Sequence, residues 1–426
     1  MRQAVTRLMP AGSFARNVGV LTGGTAFAQG LTVLALPLLT RLYTPEDFAL
    51  LAVYVAVIGI ITVVSCLRYN IAIPLPEDDA DGMALLAVAL IAATGLSVLL
   101  TLPVLLAPAG TAALLGQPGL APYLWMIPLG VFLASAYNAL QYWASRTKRF
   151  GLVTRTRMMR AVGGIGAQTA IGAAAPSPFG LIFGHMLYGG LGVLGLARNL
   201  WRQDRPVLHG LRMARLTAQA SVYRRFPLWS VPEALFNTAG AQLPVILIAA
   251  AVVGPEAGFL LLAMRAMGLP MGLVGSSVAQ VFLAEAPAKL RDGTLAAFTR
   301  RTMWALFTSG APPLLAVGAL APLLVPIVFG AEWARAGWLV AWMTPWFVLQ
   351  FVASPVSMVL HVIGRQGLAM VLQGFGLILR VGAALLAFKI VEGYASEIYA
   401  VSSAIFYGIY LSAAYFAIRL QKSAIV

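Results

Sequence analysis

The sequence predicts an all-α, polytopic membrane protein with about twelve transmembrane helices in two six-helix lobes. Of its 426 residues, 60% are hydrophobic and only 10% are charged, whereas a soluble protein carries about 25% charged residues. Apolar stretches of about 20 residues, the length that crosses a bilayer, recur along the chain. Lysine and arginine concentrate in alternate loops, which is typical of a chain threaded repeatedly through a membrane.

The first predicted span follows a basic N-terminal tail. Arg2, Arg7 and Arg16 precede an apolar stretch that ends in AFAQ at residues 26–29, which resembles a signal-peptidase site. Because the hydrophobic run continues through Leu39, we expect a first helix that is not cleaved. The twelve predicted spans are residues 18–40, 48–73, 83–106, 122–144, 153–174, 178–199, 227–250, 256–282, 297–321, 336–362, 367–388 and 395–418.

The basic residues orient these spans. With both termini in the cytoplasm, twenty-three of the 29 lysines and arginines face the cytoplasm, as the positive-inside rule describes. This bias explains the net charge of +15 without a nucleic-acid partner, and we expect the basic loops to contact anionic membrane lipids. The basic residues that face outward are Arg41, Arg335 and Lys389, and those within spans are Arg68, Arg265 and Arg380.

Two similar stretches relate the halves of the chain. Leu36-Pro37, followed by a Pro-Glu turn at Pro45, recurs as Leu243-Pro244, followed by a Pro-Glu turn at Pro255. Six spans separate the copies, so both point the same way across the membrane, a parallel repeat that transporters use to build a central site. The predicted domains are an N-terminal lobe (1–203), a cytoplasmic linker (204–225) that forms an amphipathic helix, and a C-terminal lobe (226–426).

The loop after the second span is acidic, with the sequence PEDDADG at residues 76–82. Acidic residues favour helix N-termini, so we expect a solvated helix start there, with a metal site as the alternative. Elsewhere the pattern offers no covalent chemistry, because His185, His209 and His361 are far apart and Cys66 is the single cysteine. We predict no enzymatic activity, no cofactor, no metal and no disulfide within the chain.

The stretch from Arg225 to Glu285 contains the most informative polar residues. Arg265 lies roughly ten residues past the turn at Gly254, or about 15 Å into a span, where a charge costs about 2.5–3.5 kcal/mol. One interpretation is a guanidinium that faces a wet, protein-lined cavity. The other is a packing arginine bonded to carbonyls of a neighbouring helix.

Other polar residues within spans give the same choice. Arg380 is a second candidate for the cavity, and Arg68 either joins it or extends to the headgroups. A lumen lined by arginines would attract an anion, and Asn237 and Gln242 are candidate contacts for a polar substrate. Glu233 is a candidate coupling residue, which could also pair with an arginine or favour a helix N-terminus.

At these residues the chain resembles the polysaccharide (oligosaccharide) flippase family of the multidrug/oligosaccharidyl-lipid/polysaccharide (MOP) exporter superfamily. The stretches that carry the resemblance are LPLLTRLYTPEDFALLAVYVAVI, SCLRYNIAIPLPEDDADG, RRFPLWSVPEALFNTAGAQLPVILIAA, GPEAGFLLLAMRAMGLPMGLVGSSVAQVFLAEA and IVFGAEWARAG. Arg68 and Arg265 occupy family-like positions, so the resemblance implies diphosphate contact for both. The first helix departs from the pattern, because it offers only Gln29 and Thr32 where related lipid flippases place an arginine.

The resemblance implies a function. A family member translocates undecaprenyl-diphosphate-linked oligosaccharide repeat units across the bacterial inner membrane by alternating access between two six-helix lobes. Its product feeds surface polysaccharide such as O-antigen (lipopolysaccharide), capsule or exopolysaccharide, and polysaccharide polymerase and chain-length proteins are candidate partners. Two alternatives stay open. One is a cation-coupled multidrug exporter of the same superfamily, which would need acids deep in the first lobe, whereas spans one to six contain none. The other is a non-transporting scaffold of a polysaccharide assembly complex.

Overall fold

A computed structural model describes residues 11–252, 254–271, 275–390 and 393–423, and every regular element in these ranges is helical. Short elements that depart from α geometry include 3-10 helices at Pro118–Tyr123 and Ala331–Trp333 and a π-helix at Phe226–Ser230. The α-helices are α1 (Ala11–Leu34), α2 (Leu36–Leu42), α3 (Pro45–Ser65), α4 (Tyr69–Ala72), α5 (Asp79–Leu106), α6 (Pro108–Leu114), α7 (Met126–Arg146), α8 (Phe150–Ala174), α9 (Pro178–Gly190), α10 (Val193–Gln203), α11 (Arg205–His209), α12 (Met213–Val222), α13 (Val231–Ala251), α14 (Glu256–Pro270), α15 (Ser276–Arg291), α16 (Leu295–Phe329), α17 (Ala334–Val356), α18 (Val359–Val362), α19 (Gln366–Ile390) and α20 (Ala395–Ser423).

The helices confirm the prediction of an all-α, multi-pass membrane protein. Within the described ranges, nine helical segments are long and apolar enough to cross a membrane, and they coincide with nine of the predicted spans. The predicted spans 122–144 and 153–174 coincide with α7 and α8, and 256–282 coincides with α14 and the first part of α15. Helix α8 is less apolar than the nine because three arginines lie in its first half: Arg155, Arg157 and Arg160.

The acidic segment after the second span opens helix α5, as predicted. The Asp78 side chain caps the helix by accepting a hydrogen bond from the backbone N–H two residues later at 3.1 Å, a bond that stabilises a helix by about 1 kcal/mol. Its carboxylates also have protein partners: Arg146 pairs with Asp79 at 3.0 Å, and Arg215 contacts Asp78 and Asp81 at 3.3 Å each. Among the described residues, no cluster of acids, histidines and cysteines has the composition of a metal site.

By its internal contacts the chain divides into two compact units. Unit 1 comprises the described residues up to Ala35, Ile61–Thr111 and Ala121–Val231. Its helices α5 and α7 pack together around Trp143, whose indole N–H donates to Asp204 at 2.9 Å. The same carboxylate forms a bidentate pair with Arg149 at 2.7 and 2.6 Å, which ties the ends of α7 and α10 together.

Two short helices in unit 1, α11 and α12, occupy most of the predicted linker. Helix α12 packs on α5 through the buried side chain of Leu216 and the ion pairs of Arg215. Tyr69 of α4 donates its hydroxyl hydrogen bond to the carbonyl of Ala220, at 3.0 Å. The division into lobes 1–203 and 226–426 stays a prediction.

Unit 2 comprises Leu36–Ile60, Ala112–Leu120 and the described residues from Pro232 onward. Helix α17 is its centre, because it packs against α14, α15, α16 and α20. At one end of α17, Arg335 bonds to Glu256 at the start of α14 and to Glu397 at the start of α20. Aromatic side chains such as Phe282 and Phe406 fill the interior further along.

Candidate functional site

Arg68 lies on a strained break in unit 1. Helix α3 ends at Ser65, and both Leu67 (φ 48°) and Arg68 (φ 62°) adopt the left-handed conformation before α4 begins. Such a conformation costs a non-glycine residue about 1–3 kcal/mol and persists where surrounding contacts hold it. Here the Ser65 hydroxyl lies 2.5 Å from the hydroxyl of Ser135, and the two side chains are buried. Both left-handed residues therefore follow, after Cys66, a helix end whose last side chain is held by a buried contact.

The side chain of Arg68 reaches a second irregular segment of the same unit. Its half-buried guanidinium donates from Nε to the hydroxyl of Ser230 at 3.5 Å. Ser230 is the last residue of the π-helix Phe226–Ser230, and π-helical turns occur frequently at functional sites. The backbone thus departs from α geometry on both sides of this contact, which is consistent with a positioned rather than a freely extending arginine.

Arg380 is completely buried within unit 2. Its side chain has 0% exposure, donates from Nε to the carbonyl of Gly376 at 2.9 Å, and lies 4.5 Å over the ring of Phe406. Gly240 of α13 makes room for it, because a Cβ there would lie 2.5 Å from Nη2 of the arginine. Among the described residues, Nη2 has no hydrogen-bond acceptor and no carboxylate pairs with the guanidinium. The positive charge is therefore not neutralised within the described part of the unit.

The other polar candidates of α13 divide between two faces. Glu233 and Asn237 are four residues apart and share one face of the helix, with Glu233 half-buried and Asn237 exposed. Gln242 is half-buried on a different face, beside Gly59 of α3. Arg380 packs against α13 at Gly240, so this helix carries polar side chains and lies next to a buried charge.

Glu233 has a partner that the sequence did not indicate. Its carboxylate lies 3.2 Å from Nε2 of His361, the histidine of the short helix α18. Both side chains are partly accessible, at 26% and 29% exposure. A carboxylate and an imidazole at this distance can share and release a proton, so the pair can change its charge state.

Arg265 lies nine residues after the start of α14, about 14 Å along the helix. It is half-buried and interacts with neighbouring protein groups. The structure thus places Arg68 in unit 1 and the other predicted residues in unit 2. Within unit 2, Arg380 lies next to Gly240 of α13, which is three positions after Asn237 in the sequence.

Comparison with known proteins identifies the family. The family described as polysaccharide biosynthesis protein matches residues 38–337, which is most of the chain. The chain belongs to this family. None of the curated proteins compared with the sequence matches it.

Several solved membrane transporters share the fold of this chain. The lipid II flippase MurJ, in an inward closed conformation, has a TM-score of 0.71 at 12% identity, with 95% of this chain and 90% of that chain covered. An inward-facing multidrug resistance MATE transporter of the MOP superfamily has a TM-score of 0.60 at 16% identity, with 95% and 94% covered. A MOP superfamily transporter from Pyrococcus furiosus, titled for the reverse polarity of its binding pocket, scores 0.55 at 15% identity, with 96% of each chain covered. The predicted fold class is therefore confirmed.

The family match includes most of the predicted site and omits one member. Arg68, Glu233, Asn237, Gln242 and Arg265 lie inside residues 38–337, and Arg380 lies beyond them. The family member also contains charged partnerships that sequence reasoning missed. They are the Glu233–His361 pair and the bonds of Arg335 to Glu256 and Glu397. For the Arg335–Glu256 contact, the sequence offered two signals: a Pro-Glu turn at Glu256, and Arg335 itself inside the stretch IVFGAEWARAG.

Proposed function

We propose that this family member is a flippase for undecaprenyl-diphosphate-linked oligosaccharide repeat units. It moves them across the bacterial inner membrane by alternating access, with both of its termini in the cytoplasm, and supplies surface polysaccharide synthesis. The family supports a role in polysaccharide biosynthesis, and the fold is that of transporters, including one named as a lipid flippase. Two six-helix lobes, 1–203 and 226–426, joined by the segment 204–225, are part of the proposal.

One observation carries the anionic part of this proposal: the guanidinium of Arg380 is buried, and no carboxylate among the described residues neutralises it. A charge inside a membrane span is costly, and such charges mark substrate or ion pathways. Because the surrounding helices have a low dielectric, the charge is weakly screened and produces a positive potential along the adjacent helix α13. A diphosphate head is stabilised by such a potential, whereas a cationic drug is repelled by it.

The proposed roles follow from the chemistry of the head group. Arg68 and Arg265 contact the diphosphate through charge-assisted hydrogen bonds, which are roughly twice as strong as neutral ones. Asn237 and Gln242 exchange hydrogen bonds with sugar hydroxyls, because an amide both donates and accepts. Arg380 contributes to binding mainly through its charge, since its side chain has 0% exposure.

The Glu233–His361 pair is the proposed coupling element. Moving a charge across the membrane yields about 2.3 kcal/mol per 100 mV, and a carboxylate bonded to an imidazole can take up and release a proton during the cycle. The 3.2 Å distance between Oε1 and Nε2 supports this role.

A transport experiment tests the proposal. In a strain that lacks its own flippase, Arg265→Ala is expected to lower surface polysaccharide export roughly tenfold or more, because a charge-assisted hydrogen bond to the head is lost. Arg265→Lys keeps the charge and retains part of the export. Arg41→Ala removes an exposed arginine at the predicted outer face and retains full export. Equal membrane levels of the variants exclude a folding defect, and full export by Arg265→Ala would remove the proposed contact.

Two further measurements separate this function from its alternatives. Purified protein in liposomes should translocate a lipid-linked oligosaccharide, which a scaffold of polymerase and chain-length proteins would not do. The similarity to MATE transporters favours a multidrug exporter as the second candidate. Drug sensitivity with normal surface polysaccharide in a deletion strain would support that candidate instead.

A further inference from the structure

Unit 1 carries an apolar groove between helices α1 and α8. Its volume is about 600 Å³, within the usual range of sites that bind small organic molecules. The exposed side chains along it include Phe27 at 44%, Met159 at 49% and Val162 at 53%. The residues that line it are Phe27, Gly151, Thr154, Arg155, Met158, Met159, Val162, Gly163 and Leu191. The groove is thus hydrocarbon-lined and open, with one charged residue.

Close helix packing shapes the walls of the groove. Gly24 of α1 lets the helix approach Thr154 of α8 so closely that a Cβ would overlap the threonine side chain, and Gly163 does the same beside Leu191. Small residues at such positions allow membrane helices to approach closely. Two flexible methionines, Met158 and Met159, lie along the groove, and methionine adapts well to varied apolar ligands.

The hydrogen-bond partners of the three arginines of α8 indicate which arginine is available to a ligand. Arg157 donates to the hydroxyl of Thr25 at 2.8 Å. Arg160 donates to the carbonyl of Tyr188 and lies 3.7 Å over the ring of Tyr137. Arg155 is exposed at the groove and has no bonding partner among the described residues. It lies at the predicted cytoplasmic end of its span, which is the level of lipid phosphates.

We propose that this groove binds the first part of the prenyl chain of a polyprenyl diphosphate, with Arg155 at its phosphate. This site rests on the proposed function, because it identifies the lipid carrier as the groove's occupant. Val162 lies seven positions after Arg155, so this part of the groove extends about 10 Å along α8 from the proposed phosphate site. The remaining length of the prenyl chain stays in the bilayer.

Two features favour a prenyl carrier over a phospholipid. The carrier brings one hydrocarbon chain and a diphosphate, whereas a phospholipid brings two acyl chains and a single phosphate. Among the described residues that line the groove, Arg155 is the one charged side chain, and it has no bonding partner among them. A guanidinium binds a phosphate by parallel hydrogen bonds, and the higher charge of a diphosphate strengthens the attraction.

Photocrosslinking tests the occupant. The full chain is placed in nanodiscs of phosphatidylethanolamine and phosphatidylglycerol that contain undecaprenyl diphosphate, with a benzophenone amino acid at Met159 or, as a control, at Val98. Val98 is exposed on α5 at 62% and does not line the groove. The mass of the adduct identifies the lipid. We expect mainly prenyl adducts at position 159 and mainly phospholipid adducts at position 98.

The charge is tested in the position 159 protein. Arg155→Gln is expected to lower the prenyl adduct roughly tenfold, the loss of one charge-assisted contact. Arg202→Gln removes another exposed arginine of unit 1, which does not line the groove, and leaves the adduct unchanged. Phospholipid adducts in equal proportion at both positions, or equal effects of the two arginine variants, would overturn the proposed site.

The outcome is separable from that of the transport experiment, because crosslinking requires no translocation. A prenyl adduct without flipping in liposomes would keep the groove as a lipid site and remove the flippase. Flipping without a prenyl adduct would keep the flippase and remove the groove.

Discussion

Replacing Arg335 is expected to destabilise unit 2 strongly, because one guanidinium joins three helices. Its Nη2 and Nε atoms bond to the two carboxylate oxygens of Glu256 at 2.9 and 3.2 Å, and Nη1 bonds to Glu397 at 2.6 Å. The side chains of Glu397 and Glu256 are only 6% and 14% exposed, while that of Arg335 is 31% exposed. Arg335→Gln would leave two carboxylates without their shared counter-charge.

The size of the loss follows from burial. Removing one partner of a buried ion pair costs about 3–5 kcal/mol, since the remaining charge is left buried and unpaired. The partial exposure of Arg335 screens the interaction and reduces this value. We therefore expect a loss of about 3 kcal/mol in the free energy of unfolding for Arg335→Gln. Adding Glu397→Gln should recover part of that loss, because it removes the more buried of the two carboxylates.

Denaturation of the purified protein in detergent measures this effect, with Arg41→Gln as a matched control. Arg41 is also predicted to face outward, but it is exposed and makes one described backbone hydrogen bond, to Ile327 at 3.3 Å. Its replacement should cost about 1 kcal/mol or less. If Arg335→Gln were no less stable than Arg41→Gln, or if Glu397→Gln deepened the loss, the assignment of this network as a stabilising junction would be wrong.

Further substitutions test the interior of unit 2. Gly240→Ala would place a Cβ 2.5 Å from Nη2 of Arg380 and should lower the free energy of unfolding by about 1–3 kcal/mol. The control Gly382→Ala has nothing within 4 Å of the new methyl group, so it should be neutral or stabilising by up to about 1 kcal/mol. Equal stabilities of the two variants would contradict the packing of Arg380 against Gly240. Glu233→Gln and His361→Gln should each abolish the response of export to an imposed proton gradient. Because the two groups act as one pair, the double variant should lose no more export than either single variant. Additive losses would show that the two residues act separately.

The spans could be predicted because membrane insertion depends on properties that a single sequence displays. Length and apolar composition identified nine of them, and the distribution of arginines supported the others despite their polar residues. Helix α8 shows the limit of composition alone. Arg157 and Arg160 make it less apolar, yet a neighbouring hydroxyl and a carbonyl satisfy their guanidinium groups.

The partners of the charged residues could not be predicted in the same way. Glu233 and His361 are 128 residues apart in sequence, and Arg335 is 79 residues from Glu256. Nothing in their spacing distinguishes one carboxylate from another, because the contacts depend on which helices pack and in which rotation. The backbone strain at Arg68 could not be predicted either, since neither leucine nor arginine favours a positive φ, the conformation that Leu67 and Arg68 adopt.

Arg380 shows how this difference bears on mechanism. Hydropathy locates the charge within a span, but its burial depends on a glycine of another helix, Gly240 of α13. The missing side chain of Gly240 leaves the space that the guanidinium occupies, so the charge is enclosed rather than presented to solvent. An enclosed charge acts on a ligand through its field, which is strong in a low dielectric and weakly screened by salt. A direct contact depends on atomic positions, but a field depends mainly on charge. Arg380→Met should therefore weaken substrate binding even if the packing is preserved, whereas an exposed contact residue would respond chiefly to changes in shape.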